Sequence, residues 1–251
     1  MSCKILLTGN IAKFSNNKFN EMQTIGLIGG ITPQSTIMYY QILNDLAEKE
    51  FGEFHSCKLI INSVDFAEIS KLQKVNRWDE LDKIMSDAAQ SLERAGANVI
   101  LICANTMHLT IDAVREAISI PVVHIADATA EEIKKQKLSK VGLLGTKYTM
   151  EKDFYKDILK SNGIDVVIPN EKERIVINEV IYNELSKGIL KKESKALYLE
   201  IINSLILRGA EGIILGCTEI PLLIEQKDVK APIYDTTTIH ALKGYRRALI
   251  N

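Results

Sequence analysis

Gly209-Ala210-Glu211-Gly212-Ile213-Ile214-Leu215-Gly216-Cys217-Thr218 restates Gly96-Ala97-Asn98-Val99-Ile100-Leu101-Ile102-Cys103-Ala104-Asn105 at a distance of 113 residues. Two further pairs keep the same order. Val141-Gly142-Leu143-Leu144-Gly145 follows Ile25-Gly26-Leu27-Ile28-Gly29 by 116 residues, and Pro232-Ile233-Tyr234 follows Pro121-Val122-Val123 by 111. Near-constant offsets in one order point to a duplicated βαβαβ unit and two similar lobes. In open α/β units ligands bind beyond the carboxyl ends of the strands. Two lobes facing each other would bring the residues after Leu101 and after Leu215 into one cleft.

Working outward, strands and helices alternate. Apolar runs at Ile25–Ile28, Lys58–Ser63, Val99–Cys103 and Pro121–Ile125 predict strands. Ser35–Lys49, Trp78–Ala95 and Thr110–Ala117 predict helices, with Gly96 stopping the second. Ile37, Tyr40, Ile42, Leu43 and Leu46 are candidates for the apolar face of the first. This alternation argues an α/β fold with mainly parallel sheets and right-handed crossovers. Met1 to Glu21 stand apart: they read as an N-terminal extension, or as a packed strand over Lys4–Thr8.

Composition sets the outer bounds. A chain of 251 residues accommodates one large α/β domain or two small ones. Lys and Arg number 31 against 32 Asp and Glu, a net charge of −1, which gives no electrostatic case for nucleic acid or an anionic membrane. Hydrophobic residues make up 46% and charged residues 25%, ordinary globular values that exclude a mainly disordered chain. No apolar run approaches the roughly 18 residues of a membrane span. The four cysteines, Cys3, Cys57, Cys103 and Cys217, show no CxxC spacing, so a zinc knuckle or redox motif is not expected. Sparse thiols suit a reducing cytoplasm, where a cysteine serves as a core residue or a nucleophile.

The repeat superposes Ala104-Asn105-Thr106 on Cys217-Thr218-Glu219. Each triplet follows a buried-type strand and precedes a predicted helix, whose free backbone N–H groups favour an anion. Cys217 therefore reads either as a small buried hydrophobe or as a thiol whose ionisation such a position would ease. Asn105, Thr106 and Thr218 add side-chain donors. Thr32, Gln34 and Ser35 follow the Gly29-Gly30 turn and either face a ligand or cap a helix. Thr146 holds the equivalent place in the second lobe. Lys172 and Arg174 lie in a polar stretch after Pro169-Asn170, which either reaches over the cleft toward a substrate carboxylate or forms a solvated loop. His108 and His124 have no metal-ligand partner at helical spacing; His124 reads as structural and His108 as structural or site-lining. Cys3 and Cys57 read as structural, and Trp78 as a helix anchor.

With these residues in view, the chain resembles the aspartate/glutamate racemase superfamily, on its aspartate racemase side. The resemblance rests on Gly26-Leu27-Ile28-Gly29-Gly30, Asn105-Thr106-Met107-His108, His124-Ile125-Ala126-Asp127-Ala128-Thr129 and Gly216-Cys217-Thr218-Glu219-Ile220-Pro221. It covers Met22 to the C-terminus. Glutamate racemases typically carry His after the Cys-Thr pair; Glu219 in that place favours the aspartate branch. The resemblance implies two pseudo-symmetric α/β lobes with the active site between them, and an isomerase that uses neither pyridoxal phosphate nor metal. Its small-molecule partner would be an amino acid, aspartate or glutamate, with Asn105, Thr106, Thr218, Glu219, Thr32, Gln34, Thr146 and Lys172 as binding residues. Members are often dimers, so a homodimer is a further implied partner. From the family architecture and the matched strands, 22–117 with 231–251 would form the first lobe and 118–230 the second. The strand after Pro121 would open the second lobe, and a helix from about Thr238 would close the first.

In the family, two cysteines flank the substrate α-carbon; one thiolate removes the α-proton and the opposite thiol returns a proton to the other face. This chain departs from that pattern, because the position before Asn105-Thr106 is Ala104. Side chains alternate along a strand, so the adjacent Cys103 should point away from the cleft. Three outcomes follow: a racemase with unequal handling of enantiomers, in which water beside Ala104 supplies the second proton; a one-cysteine lyase such as a decarboxylase; or a non-catalytic amino-acid binder.

Overall fold

The computed structural model describes residues 21–250, so the expected extension and the alternative strand over Lys4–Thr8 lie outside the described residues, apart from Glu21. The chain opens with β1 (Glu21–Met22), β2 (Ile25–Gly29) and α1 (Pro33–Phe51). It continues through β3 (Leu59–Ser63), α2 (Phe66–Lys74), α3 (Trp78–Arg94) and β4 (Val99–Ile102), then α4 (Ile111–Ala117) and α5 (Ile125–Lys135). The second half runs β5 (Lys140–Gly145), α6 (Lys147–Glu151), α7 (Asp153–Ser161), β6 (Asp165–Val167), α8 (Glu171–Asn183), α9 (Lys192–Leu207) and β7 (Gly212–Gly216). It ends with β8 (Ile233–Asp235), α10 (Thr236–Ala248) and β9 (Leu249–Ile250), which pairs antiparallel with β1.

Two parallel sheets carry the duplication. Their strand orders are β3-β2-β4 and β6-β5-β7-β8. The missing fourth member of the first sheet is a single parallel bridge from Val122 to Ile100, so the two orders match position by position. This corrects the expected seam. The segment after Pro121 does not open the second lobe; it completes the first sheet, and the second lobe begins with α5. Likewise β8 pairs with β7, so residues 233–235 belong to the second sheet, and the chain returns to the first lobe only with α10. The predicted strand Pro121–Ile125 shrinks to one bridge because His124 already caps α5, its Nδ1 accepting from the Ala126 N–H.

Both sheets are nearly continuous in apolar residues because helices cover both faces. Leu27, Leu101 and Cys103 pack under α1 and α10 with Tyr39, Ala241 and Tyr245. Ile28, Ile100 and Ile102 face α3 on the other side with Leu81, Met85 and Leu92. The second sheet repeats the arrangement, with Leu144, Ile213 and Leu215 against α8 and α9, and Val141, Leu143 and Ile214 against α5 and α7. Helix α1 differs from its expected register. Tyr39, Ile42, Leu43 and Ala47 are buried, while Ile37 and Tyr40 point outward at 64% and 51% exposure.

One glycine fixes the turn that leads to the cleft. Gly30 has φ +85°, and a Cβ there would lie 2.1 Å from the Val64 carbonyl oxygen. Its N–H donates to Thr36 Oγ1, so the chain turns sharply from β2 into α1 and leaves Thr32 at the helix N-cap.

Candidate active site

The matched triplets meet at the carboxyl ends of β4 and β7. A cavity of about 50 Å³ lies between them, with Ala104, Asn105 and Thr106 on one side and Cys217, Thr218 and Glu219 on the other. Thr32 and Thr146, the N-cap residues of α1 and α6, also line it. Side-chain alternation holds at the decisive position. Ala104 faces the cavity, whereas Cys103 is fully buried in the core beneath α1 and α10. The repeat explains the counterpart on the other side, where a Cβ at Gly216 would lie 2.7 Å from the Leu144 carbonyl oxygen.

Two hydrogen bonds cross between the lobes at related positions. Thr32 Oγ1 donates to Glu219 Oε1 at 3.0 Å, and Thr106 Oγ1 meets Thr146 Oγ1 at 2.9 Å. Thr32 corresponds in place to Thr146, and Thr106 to Glu219, so each cap threonine reaches the third residue of the opposite triplet. Asn105 Nδ2 donates to Thr236 Oγ1, which donates to the Leu215 carbonyl, tying the first triplet to the second sheet through α10. Asn105 Oδ1 is buried and has no partner among the described residues.

Glu219 gathers the second triplet. Its Oε2 accepts from Cys217 Sγ at 3.0 Å and from Thr218 Oγ1 at 2.6 Å, while Oε1 takes the Thr32 hydroxyl. The expected easing of Cys217 ionisation is therefore overturned. Burial pushes its thiol well above the ordinary range, and the neighbouring Glu219 charge pushes it further in the same direction. The helix that should have favoured a thiolate is only a three-residue 3₁₀ turn, Ile220–Leu222, and its counterpart after Asn105 is the 3₁₀ segment Thr106–Thr110.

Other expectations part company with the geometry. Gln34 lies in the first turn of α1 and is exposed, away from the cavity. Lys172 is exposed in the first turn of α8 and does not reach it. Arg174 binds Glu151 and the Pro169 carbonyl instead of crossing the cleft. The stretch expected as a loop over the site is helical because Asn170 and Glu173 form a capping box. Thr32, not Ser35, is the N-cap, its Oγ1 accepting from the Ser35 N–H; the Ser35 hydroxyl braces the turn, 2.8 Å from the Thr32 and Cys103 carbonyl oxygens.

Sequence reading missed Gln73, Tyr182 and Ser186, which line the cavity from α2, α8 and the turn after α8. Gln73 and Tyr182 also border a wider hollow of about 550 Å³, bridged by Tyr148, whose hydroxyl donates to the Gln73 carbonyl at 3.0 Å. Only their distance from any site motif hid them, for they come from long elements that approach the cleft in three dimensions.

Three buried histidines brace the joint between the lobes. The Ile125 N–H donates to His108 Nε2, so Nδ1 carries the proton and donates to the Ala104 carbonyl at 2.8 Å. His240 bonds Tyr39 and the Val123 carbonyl, and the His108 ring packs on both His124 and His240. Burial lowers all three, to about 4 for His108, about 3 for His240 and about 2 for His124, so the cluster is neutral. His108 thus holds the backbone of the first triplet and does not line the cavity. No group of three or more His, Cys, Asp or Glu side chains among the described residues is arranged to hold a metal ion.

A two-lobed α/β protein with a polar, thiol-bearing chamber at the paired strand ends is the architecture of pseudo-symmetric racemases. The Asp/Glu/Hydantoin racemase family model matches residues 28–243, and the chain belongs to that family. It is 45% identical to a putative Asp/Glu racemase from Yersinia pestis, covering 90% of this chain and 99% of that one with a TM-score of 0.85. An aspartate racemase homologue from Pyrococcus horikoshii OT3 is 42% identical over 90% of this chain and 99% of that one, with a TM-score of 0.80. The broad specificity amino-acid racemase RacX of Bacillus subtilis (strain 168) is 25% identical over 225 residues, 85% of this chain and 92% of its own length. The chain therefore stands among racemases, an isomerase class. No helix among the described residues is long and apolar enough to cross a membrane.

Proposed function

We propose that the protein is a cytoplasmic amino-acid racemase of the aspartate/glutamate type that exchanges the α-proton through Cys217 without a cofactor. The observation that carries this reading is the pairing of Cys217 with Ala104 across one chamber, at equivalent strand ends of two related lobes. A thiol on one face of the α-carbon performs proton abstraction and return on that face. Water beside Ala104 serves the other face, so the two enantiomers exchange unequally. Asn105 Oδ1, a buried acceptor without a partner among the described residues, suits the substrate ammonium, since leaving such a group unpaired costs about 1–3 kcal/mol. Thr106, Thr146 and Thr218 offer hydroxyl donors for the α-carboxylate.

The chamber, about 50 Å³, has room for a few waters only, far below the ~300 Å³ at which small-molecule pockets begin. Substrate entry therefore requires the lobes to part, and the hollow bounded by Gln73 and Tyr182 is the adjoining approach. The test is deuterium wash-in at Cα of both enantiomers of aspartate and glutamate. Wild type should exchange at least one enantiomer, and Cys217→Ser should lower that rate by about 10²–10⁴ with the fold retained. Exchange at the wild-type rate in the mutant removes Cys217 from the mechanism. Absence of exchange in wild type, with binding intact, makes the protein a binder.

A further inference from the structure

We propose that Gln73, with Tyr182 beside it, sets the length of side chain the site accepts, and that the hollow behind these two residues is where a longer side chain would lie. This deepens the reading above and rests on Cys217 and Ala104 flanking the α-carbon. The observation that points to it is that Gln73 and Tyr182 line both the chamber of about 50 Å³ and the hollow of about 550 Å³. A single layer of side chains thus separates the two spaces.

Other chamber walls are closed from behind. Ile31 and Ala104 belong to the packed core against α3, while Ile181 and Cys217 belong to the core against α8 and α9. Interiors packed this densely resist even one added methylene. The partition is backed by open space instead, because the hollow is bounded by exposed residues such as Lys74, Lys152 and Asn183. A side chain that outgrows the chamber finds room in this direction.

Gln73 is fixed in that wall from two sides. It lies in the last turn of α2 and is 5% exposed. Its Nε2 donates to Met107 Sδ at 3.2 Å, which ties the side chain to the 3₁₀ segment that follows Asn105. Its backbone carbonyl accepts the Tyr148 hydroxyl, and the Tyr148 ring meets Trp78 edge-on at 5.6 Å. Helix α2 and Met107 both belong to the first lobe, so the wall keeps its distance from Ala104 however the second lobe sits. Gln73 therefore measures side-chain length from the α-carbon. Tyr182, half-buried in the last turn of α8, completes the partition from the second lobe.

The hollow also states the chemistry of the longer side chain. Lys74, Lys147 and Lys152 line it with Glu151 and Glu179, and Glu151 already binds Arg174 at 2.9 Å. Cations outnumber anions there, so a terminal carboxylate suits the hollow better than an ammonium. The substrates are thus α-amino dicarboxylic acids cut off in length by Gln73, and longer homologues enter only when the partition is removed.

The deciding experiment uses the full chain with L-aspartate, L-glutamate, L-2-aminoadipate and L-2-aminopimelate, reading α-deuterium exchange as kcat/KM. In wild type each methylene beyond glutamate should lower kcat/KM by about tenfold. Gln73→Ala joins the two spaces. It should raise the ratio of 2-aminoadipate to aspartate by about tenfold, chiefly through KM, whatever its effect on the aspartate rate itself. Gln73→Met rebuilds a wall of similar length without the amide and should return the ratio to the wild-type value. A merely structural Gln73 would lower all four substrates together and leave the ratio unmoved. Tyr182→Ala opens the same partition from the other lobe and serves if the Gln73 variant does not fold. A wild type that exchanges 2-aminopimelate as fast as aspartate, or a ratio within about threefold of wild type in each alanine variant that folds, overturns the proposal. A wild type that exchanges neither aspartate nor glutamate overturns instead the reading on which it rests, and the same series read as dissociation constants then decides the partition separately.

Discussion

The two halves of the site were built alike and finished differently. Both begin with a buried strand, both place a cap threonine across the cleft, and both close with a third residue that meets the threonine of the other lobe. The first half ends in Ala104-Asn105-Thr106, which offers an amide, a hydroxyl and no titratable atom. The second ends in Cys217-Thr218-Glu219, in which a carboxylate collects a thiol and two hydroxyls. The scaffold is symmetric because backbone packing sets it, whereas the chemistry is asymmetric because single side chains set it. Binding groups can be shared between the lobes; in this reading, proton transfer belongs to one.

The largest effect expected on this comparison is loss of the joint that holds the halves in register. His108, His240 and His124 are neutral in the fold, lowered to about 4, 3 and 2, against roughly 6.5 in an unfolded chain. Between those values and 6.5 the unfolded state takes up protons that the folded state refuses. Stability is therefore full above about pH 6.5 and falls as pH drops, by up to about 1.4 kcal/mol per pH unit for each ring. The urea midpoint followed from pH 7.5 to 4.5 should fall steeply, with cooperative unfolding near the acid end. A flat midpoint over that range would show that the cluster is charged in the fold.

Next comes the repair of the asymmetry. Ala104→Cys places a thiol opposite Cys217. The mutant should raise exchange of the slower enantiomer about tenfold, a barrier change of about 1.4 kcal/mol, and bring the two directions closer together. Initial rates from both enantiomers measure it. A mutant that folds and binds substrate without any gain breaks the idea that the first half lacks only a base.

Cys103→Ser tests the neighbouring position, which alternation turns into the core. It should leave exchange near wild type and cost about 1–3 kcal/mol of stability, the penalty of a buried hydroxyl, read from urea unfolding. A large kinetic loss without destabilisation would mean that Cys103 reaches the cleft. The smallest effect is expected for Lys172→Ala. This exposed residue on α8 should change the KM for aspartate by less than about threefold, as surface substitutions stay within about 0.5 kcal/mol.

What the sequence by itself determined was whatever repeats or alternates. The duplicated segments announced two α/β lobes, because the same apolar run between the same glycines can only be buried in the same way twice. Alternation of side chains carried on past the end of β4 puts Ala104 in the chamber and Cys103 in the core. Gln34, Lys172 and Arg174 lie off the chamber, which the sequence does not show, because a polar residue near a site motif looks the same whether it faces ligand, solvent or a partner such as Glu151. The state of Cys217 belonged to the tertiary structure alone. Its local context left a small buried residue and an eased thiol both open; burial and the Glu219 carboxylate two residues on push the thiol upward, and neither depth nor charge contact is written in a strand pattern. The seam between lobes was likewise a tertiary decision. Val122 bonds to the first sheet and Ile233–Asp235 to the second, because a strand joins whichever neighbour offers free hydrogen-bonding groups at its edge.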